Sequence, residues 1–323
     1  MHPKNIYSSN KPDFDKLATK YAKLRHFCTL NKKGKFTVDF NSNECVGALT
    51  EALLKENFDL EVVFSSNNLI PRLSNRLDYL LTIDDVIEAN LVDKNVSIAG
   101  VDIGTGAYVI YPLLGSKLLK WSFVGTETDQ KSIEYGKIII NNNKLDHLIS
   151  IVHNESSDTI FNCTEQLIPE NKFVFSMCNP PFFTDDEVTA KFNRFYSETF
   201  VNKWTETSRD DPRSTTIATI SELSTKGGEV EFVGNMIKES LDLSNKINLF
   251  TSLVGKKSSI ALLLPKLKEI NHKVYEIIQG KTMRWIIMWS FDEKFEFPDI
   301  QQGSTKRKIQ SKKTNNLKRL KTT

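Results

Sequence analysis

Residues 173–183 read Phe-Val-Phe-Ser-Met-Cys-Asn-Pro-Pro-Phe-Phe. The run 173–178 is apolar and carries no turn signal, which predicts a short buried strand. It stops at Asn179-Pro180-Pro181. Two prolines fix φ and donate no backbone hydrogen bond, so the chain leaves the sheet stiffly. Pro180 also holds Asn179 extended. The product is a rigid turn at a strand's carboxyl end, with one amide side chain, exposed carbonyls and the Phe182 ring. Ligands of open α/β sheets bind along that edge. A plain Pro-Pro strand exit beside a core Phe is the competing reading.

The sequence on either side repeats strand, loop and helix. Strands are expected at 97–101, 121–126 and 148–152, with helical sequence to Leu119, over 133–143 and over 159–168. After the turn, Gly227-Gly228-Glu229 opens a helix to about Leu243, 247–254 is a strand, and 258–271 a helix. Segments 274–278 and 283–291 pair as an antiparallel hairpin around Gly280. Seven strands in this rhythm predict an α/β fold, its sheet mostly parallel and covered by helices on both faces.

Ahead of it lies a different pattern. Phe14, Leu17, Ala18, Tyr21 and Leu24 share a helical face, predicting one helix over 12–25. Residues 36–40 alternate like a strand. Asn41 as N-cap with Glu44 three residues on starts a helix that ends near Phe58. Residues 60–64 read as a second strand and 74–90 as another helix. Residues 1–90 are thus expected to form a small α/β module, and 91–298 the main domain. The polar segment 184–226 is too long for an ordinary connection and is expected to be a mobile arm. Residues 299–323 are expected to be a disordered basic tail.

The 323 residues are 39% hydrophobic and 26% charged, an ordinary globular composition. No stretch approaches the ~20 apolar residues of a membrane span, and residues 1–5 lack the apolar core of a signal peptide. Cys28, Cys45, Cys163 and Cys178 are scattered, which argues for a reducing compartment and against a zinc site. The net charge of +3 hides an asymmetry. Residues 303–323 hold eight Lys/Arg and no acid, and residues 1–35 hold nine Lys/Arg and two acids. That leaves 26 basic against 38 acidic residues in 36–302, a net of −12. Basic ends on an acidic body attract polyanions by counterion release. A solubilising tail plus a solvated helix face would look the same.

Asp102-Ile103-Gly104-Thr105-Gly106 follows the first strand of the repeat. Its glycines permit a tight strand-to-helix turn and close backbone approach. A dinucleotide fingerprint needs a third glycine three residues on, where this chain has Val109. An acid ahead of the glycines suits a cationic ligand instead, and S-adenosylmethionine carries a sulfonium and an ammonium. Glu127 ends the next strand, where the ribose hydroxyls of an adenosine would sit. Asn179 and the Pro180 carbonyl can then accept hydrogen bonds from a conjugated amine, while Phe182 stacks on the base. Methyl transfer from a sulfonium is one displacement governed by positioning; no metal is expected. Adenine N6, guanine N2 and a glutamine side-chain amide all remain open as acceptors.

The chain resembles the methyltransferase-like protein 16 family, relatives of bacterial ribosomal RNA adenine-N6 methyltransferases. The resemblance rests on Lys11-Pro12-Asp13-Phe14, residues 72–79 (RLSNRLDY), 102–115 (DIGTGAYVIYPLLG), Thr126-Glu127, 178–183 (CNPPFF), 227–233 (GGEVEFV), 253–257 (LVGKK) and 279–291 (QGKTMRWIIMWSF). It implies a Rossmann-like class I methyltransferase fold with an N-terminal RNA-binding module. It implies N6-methyladenosine formation in a structured RNA, with U6 small nuclear RNA the expected target. Cofactor contacts are implied at Arg76, Asp102, Gly104, Gly106, Tyr108, Glu127, Asp158 and Asn179. Tyr108 stands where a small residue is common. Asn179, Pro180, Pro181 and Phe182 would form the catalytic turn. RNA contacts are expected at Lys4, Lys11, Lys256, Lys281 and Arg284. A monomer in the nucleus is expected, with the cytoplasm as the alternative. The rival functions are a ribosomal RNA adenine-N6 methyltransferase and a non-catalytic RNA-binding protein that retains the fold.

Overall fold

The computed structural model describes residues 1–65, 70–93, 95–156, 159–161, 173–181, 227–279 and 282–300. The N-terminal part holds helices α1 (Ile6–Ser9), α2 (Phe14–Lys20) and α3 (Ala22–Phe27), then the antiparallel pair β1 (Thr29–Leu30) and β2 (Phe36–Thr37). Two long helices follow, α4 (Asn43–Phe58) and α5 (Leu73–Asn90). The single helix expected over 12–25 is broken at Tyr21, which is extended (φ −106°, ψ 104°). The Tyr21 hydroxyl donates to Glu56 on α4 (2.7 Å). The break lets Leu17 and Ala18 on α2 and Leu24 on α3 all pack with Cys45, Ala48, Leu49 and Ala52 of α4. The N-cap of α4 is Ser42 rather than Asn41: its side chain accepts from the Cys45 amide.

The strand expected at 60–64 is not one. The segment is extended and buries Leu60, Val62 and Phe64, but helix side chains take its backbone groups. Asn143 accepts from the Glu61 amide and donates to its carbonyl, both at 2.8 Å. Glu51 accepts from the Phe64 amide (2.9 Å), and the Tyr135 hydroxyl donates to the Val63 carbonyl (2.5 Å). Buried backbone groups need partners, not necessarily a sheet.

The main sheet has seven strands in the order β5-β4-β3-β6-β7-β9-β8. These are β3 (Ala99–Ile103), β4 (Ser122–Glu127), β5 (Ile149–His153), β6 (Phe173–Cys178), β7 (Ile247–Val254), β8 (Asn271–Gln279) and β9 (Thr282–Ser290). β3 to β7 run parallel, and β9 lies antiparallel to both neighbours. The mostly parallel sheet expected from the sequence is therefore present. Side chains alternate across it: Val101, Phe250, Trp285, Ile287 and Trp289 join one core, and Phe175, Met177, Leu249, Ile286 and Met288 the other. Helices α6 (Ile110–Leu119) and α7 (Gln130–Asn142) follow β3 and β4. Helices α8 (Gly228–Ser240) and α9 (Lys257–Leu263) pack on the opposite face. Among the described residues, no helix is long and apolar enough to cross a membrane.

Strand order reverses between β3 and β6, which places a crevice over their carboxyl ends. At Gly100, opposite Phe175 in the register, an added Cβ would lie 2.2 Å from the Phe175 ring. Glycine there lets an aromatic ring cross the central strand. Residues 2–5 dock on α5: Asp78 accepts from the His2 amide (2.9 Å) and from Asn5 Nδ2 (2.5 Å). Lys4 Nζ lies 2.8 Å from both Asp85 and Glu88 and 3.4 Å from Asp84.

Candidate active site

The crevice is built from three strand ends and one helix face. Beyond β3 the chain turns through Gly104 (φ 66°) and Gly106 (φ 69°), both left-handed. An added Cβ at either would meet nothing within 4 Å. These glycines are therefore required by backbone conformation, and the space above them is open to a ligand. Val109 also has positive φ (49°) where α6 begins, a cost that β-branched residues rarely bear. Asp102 is 1% exposed and accepts from Thr105 Oγ1 at 2.8 Å. Burial pushes its carboxyl up to about 7, against the Thr105 hydrogen bond and the positive charge of Arg76.

Glu127 closes β4. One carboxylate oxygen accepts from the Gly106 amide (2.9 Å), the other from the Thr128 and Asp129 amides (2.8 and 3.1 Å). It thus ties the glycine turn to the N-terminus of α7. A carboxylate has about four acceptor positions, so capacity remains for a hydroxyl.

β6 ends just before Asn179. The Oδ1 of Asn179 is buried and has no hydrogen-bond partner among the described residues. Such an atom costs about 1–3 kcal/mol in a folded chain, and a donor brought by a ligand explains its retention. Pro180 is buried and Pro181 half-buried, so the turn is held from below. Tyr79 of α5 braces the strand end. Its hydroxyl lies 2.7 Å from Thr251 Oγ1, and 3.3 Å from both the Cys178 amide and carbonyl. Thr251 in turn donates to the Ser176 carbonyl (2.9 Å). The β6–β7 register runs to Ser176 opposite Phe250; past it, two side-chain hydroxyls take over the backbone bonding.

Arg76, one turn before Tyr79, reaches the same place. Its guanidinium carbon lies 5.3 Å from the centre of the Tyr111 ring, and its Nε is buried without an acceptor among the described residues. Arg284 on β9 stands nearby: burial lowers its pKa, Glu229 opposes that, and the positive charges of Arg72 and Arg76 add to the lowering. Glu229 is 3% exposed and accepts from the Gly255 and Lys256 amides (2.6 and 3.1 Å) and from Ser259 Oγ (2.6 Å). It fixes the loop beyond β7, which carries Lys256.

The structure brings Arg76, Asp102, Gly104, Gly106, Glu127, Asn179 and Pro180 to one sheet edge. Tyr108 follows the glycine turn; its hydroxyl accepts from the Ser65 amide (2.9 Å), and its ring packs edge-on against Phe64 and Tyr135. Lys4 is held by α5 acids, whereas Lys11 is exposed. Asp158, Phe182, Lys281, the arm 184–226, residues 162–168 of the helix expected over 159–168 and the tail beyond 300 lie outside the described residues, while 159–161 are not helical. Sequence reasoning missed Tyr79, Tyr111 and Glu229. Each sits inside a quoted motif, but the partner that gives it a role lies far along the chain.

Known proteins share this sequence and this arrangement. A family model described as RNA methyltransferase matches residues 1–293. A Caenorhabditis briggsae protein named U6 small nuclear RNA (adenine-(43)-N(6))-methyltransferase is 37% identical over 313 residues, covering 94% of this chain. The chain spans 65% of that protein's length. The hMettl16 catalytic domain, solved in complex with a MAT2A 3′UTR hairpin, is 33% identical with a TM-score of 0.79. That match covers 94% of this chain and 99% of the solved one. The N-terminal domain of human METTL16 in complex with SAH is likewise 33% identical, with a TM-score of 0.72 over 91% of this chain and 99% of its own.

Proposed function

This chain belongs to the RNA methyltransferase family, and we propose that it forms N6-methyladenosine in a structured RNA, with S-adenosylmethionine as donor and U6 small nuclear RNA as the target. The observation that carries this reading is the buried, unpartnered Oδ1 of Asn179 at the end of β6. The open cradle over Gly104 and Gly106, beside Asp102 and Glu127, fits an adenosine with a cationic tail. When bound, S-adenosylmethionine supplies a methyl group on a sulfonium.

The chain's own residues bind and orient. Glu127 offers an oxygen to ribose hydroxyls. Asn179 Oδ1 and the Pro180 carbonyl accept the two N–H bonds of an adenine amine. That fixes the nitrogen, whose lone pair is otherwise delocalised into the ring, and favours its pyramidal form. Preorganised acceptors act this way without reorganising during the reaction. Single displacement from a sulfonium calls for neither metal nor covalent intermediate, and every group named comes from one chain, so a monomer suffices.

Residues 1–90 are read as the module that positions RNA and 91–298 as the methyltransferase domain. Within 1–35, Lys20 pairs with Glu56, Lys23 with Glu51, and Lys4 with the acids of α5. No ion pair involves Lys32, Lys33 or Lys35 among the described residues, and they flank the turn at Gly34 between β1 and β2. The phosphate backbone is therefore assigned to that hairpin and to Arg72. The clusters 306–308, 312–313 and 318–319 in the tail suit a nuclear import signal, which a localisation assay of a 303–323 deletion tests.

In vitro methylation of U6 RNA by the wild type and by Asn179→Ala tests the function. Loss of one acceptor should lower turnover about 10²-fold with RNA affinity unchanged. Wild-type turnover in the variant at saturating cofactor would remove Asn179 from the chemistry. RNA binding without any methyl transfer by the wild type would favour the non-catalytic alternative.

A further inference from the structure

Phe40 is 60% exposed, and no other phenylalanine, tyrosine or tryptophan among the described residues stands exposed. Residues 36, 38 and 40 fall on one side of an extended chain. Phe36 and Val38 pack on the core formed by α2, α3 and α4. Phe40 lies one step past that core, in the turn closed by the Ser42 amide donating to the Asp39 carbonyl (3.3 Å). Its ring meets half-buried Phe14 edge-on at 5.7 Å, which fixes it while most of it stays in water. Leu30, 62% exposed and paired with Phe36, continues the apolar strip toward the lysine turn. Charge is the second observation. Lys11, just ahead of Phe14, and Lys32, Lys33 and Lys35 are exposed and in no ion pair among the described residues. The chain from Lys35 to Phe40 spans at most about 17 Å. The lysine turn is shaped without its side chains: Asn31 Oδ1 accepts from the Lys33 and Lys35 amides (2.8 and 3.1 Å), and Gly34 turns at φ 71°. The nearby acids are engaged with backbone. Asp13 accepts from the Lys16 amide (3.2 Å), Asp15 from Phe36 (2.8 Å) and Asp39 from Asn41 (2.9 Å).

We propose that Phe40 is a stacking platform for an unpaired base of the RNA, set beside lysines that hold the adjoining phosphates. The proposal rests on the RNA-methyltransferase reading and adds a base contact to the phosphate contacts assigned there to the β1–β2 hairpin. A fixed aromatic ring among cations is what single-stranded nucleic acid takes: a base of any sequence stacks on the ring, and the cations follow the backbone. A base inside a helix offers no free face, because its neighbours cover both. Phe40 therefore selects a loop, bulge or single-stranded flank rather than a sequence. A protein would cover the same apolar strip, but four unpaired lysines around it call for a polyanion, and RNA is the polyanion with ring faces of its own.

The test uses the full chain, the variants Phe40→Ala and Phe40→Trp, and two probes: U6 RNA and a blunt, fully paired RNA duplex of the same length. Phe40→Ala should bind U6 RNA roughly tenfold more weakly, the order of one base–aromatic stack, and bind the duplex as the wild type does. Its salt slope should stay unchanged, because no phosphate contact is lost. Phe40→Trp should keep the affinity, and U6 RNA should quench its fluorescence beyond the quenching seen in the wild type. The melting temperature of Phe40→Ala should lie close to that of the wild type, since the ring is mostly in water; a merely structural aromatic would lower it. Unchanged U6 affinity in Phe40→Ala, or equal weakening for both probes, would overturn the proposal. So would a lower salt slope, which would make Phe40 a prop for the lysine turn. Self-association of the wild type that Phe40→Ala abolishes would give the ring to a second copy of the chain instead. Failure of the wild type to prefer U6 RNA over the duplex would overturn the substrate reading, and this platform with it.

Discussion

Tyr79→Phe removes one oxygen atom, and its neighbours show what that oxygen holds. Thr251 spends its proton on the Ser176 carbonyl (2.9 Å), so the Tyr79 proton goes to Thr251 Oγ1 (2.7 Å) or the Cys178 carbonyl (3.3 Å). The Cys178 amide donates to the Tyr79 oxygen (3.3 Å). The 2.7 Å contact is a full hydrogen bond, and the two at 3.3 Å are weak. In the variant, a buried amide and a buried hydroxyl acceptor lose their partner. At about 1–3 kcal/mol for an unsatisfied buried group, the loss should total about 2–3 kcal/mol. That lowers the melting temperature by roughly 5 °C in a domain of this size. The catalytic consequence is separate. Cys178 precedes Asn179, and misplacement by about 1 Å can cost 10²-fold in rate. Single-turnover methylation, well below the melting temperature, should fall about 10- to 100-fold while S-adenosylhomocysteine affinity stays unchanged. A stability loss with an unaltered single-turnover rate would refute the brace and leave Tyr79 a core residue only. No change in either would mean the hydrogen bonds do not form.

Three other perturbations probe the same geometry. Burial lifts Asp102 to about 7, above the ~3.9 of an unfolded chain, so its contribution to stability is complete below about pH 4 and disappears as pH rises through about 7; Asp102→Asn should flatten the fall in melting temperature across that window, and an unaltered slope would show the carboxyl is not the group responsible. Replacing Lys32, Lys33 and Lys35 with Gln should lower the salt slope of RNA binding by about 0.7–0.9 for each phosphate no longer neutralised, whereas Lys20→Gln and Lys23→Gln should not change it; the reverse pattern would move the RNA to the helix face. Gly100→Ala puts a methyl 2.2 Å from the Phe175 ring and should cost about 1–3 kcal/mol by overpacking in chemical denaturation, and wild-type stability would mean that the ring has room to turn.

The bounds of β6 and β7 coincide with the runs 173–178 and 247–254 read from the sequence. Both are mostly apolar, with Ser176 in β6 and Asn248, Thr251 and Ser252 in β7 the exceptions; β6 stops at a proline pair that cannot continue a ladder and β7 at Gly255, so burial and termination are largely written locally. The segment 60–64 shows where that local logic stops. Its alternation is real, since Leu60, Val62 and Phe64 are buried. Alternation reports half-burial of an extended chain, however, and does not say what the backbone bonds to. Here the partners are Asn143, Glu51 and Tyr135, each distant in sequence and on a helix or at its end. The break at Tyr21 is the same kind of fact, because Glu56 is 35 residues away. Within the crevice, Gly104, Gly106, Glu127 and Asn179 were legible because strand ends converge in any such sheet. Tyr79 and Tyr111 were not, because an apolar helix position that happens to carry a hydroxyl looks like any other core position.

Local pairing, more than composition, decides which charges a polyanion can meet. The body of net −12 should repel RNA if its acids were spread evenly, yet they are partly consumed. Asp78, Asp84, Asp85 and Glu88 on α5 hold residues 2–5, and Glu51 and Glu56 on α4 hold Lys23 and Lys20. Those lysines are neutralised by the same pairs, so a count of basic residues in 1–35 overstates what RNA can reach. The other end of α5 is different. Burial lowers the pKa of Arg284, and the charges of Arg72 and Arg76 add to that, while Glu229 beside Arg284 and Asp102 beside Arg76 offset part of the repulsion. A single helix thus directs its acids toward the N-terminal segment and its arginines toward the crevice. The field a ligand meets is set by this local sorting rather than by net charge. On that basis the positive end of α5 is directed toward the crevice, while the negative end keeps residues 2–5 docked on the helix that carries Tyr79 to the end of β6.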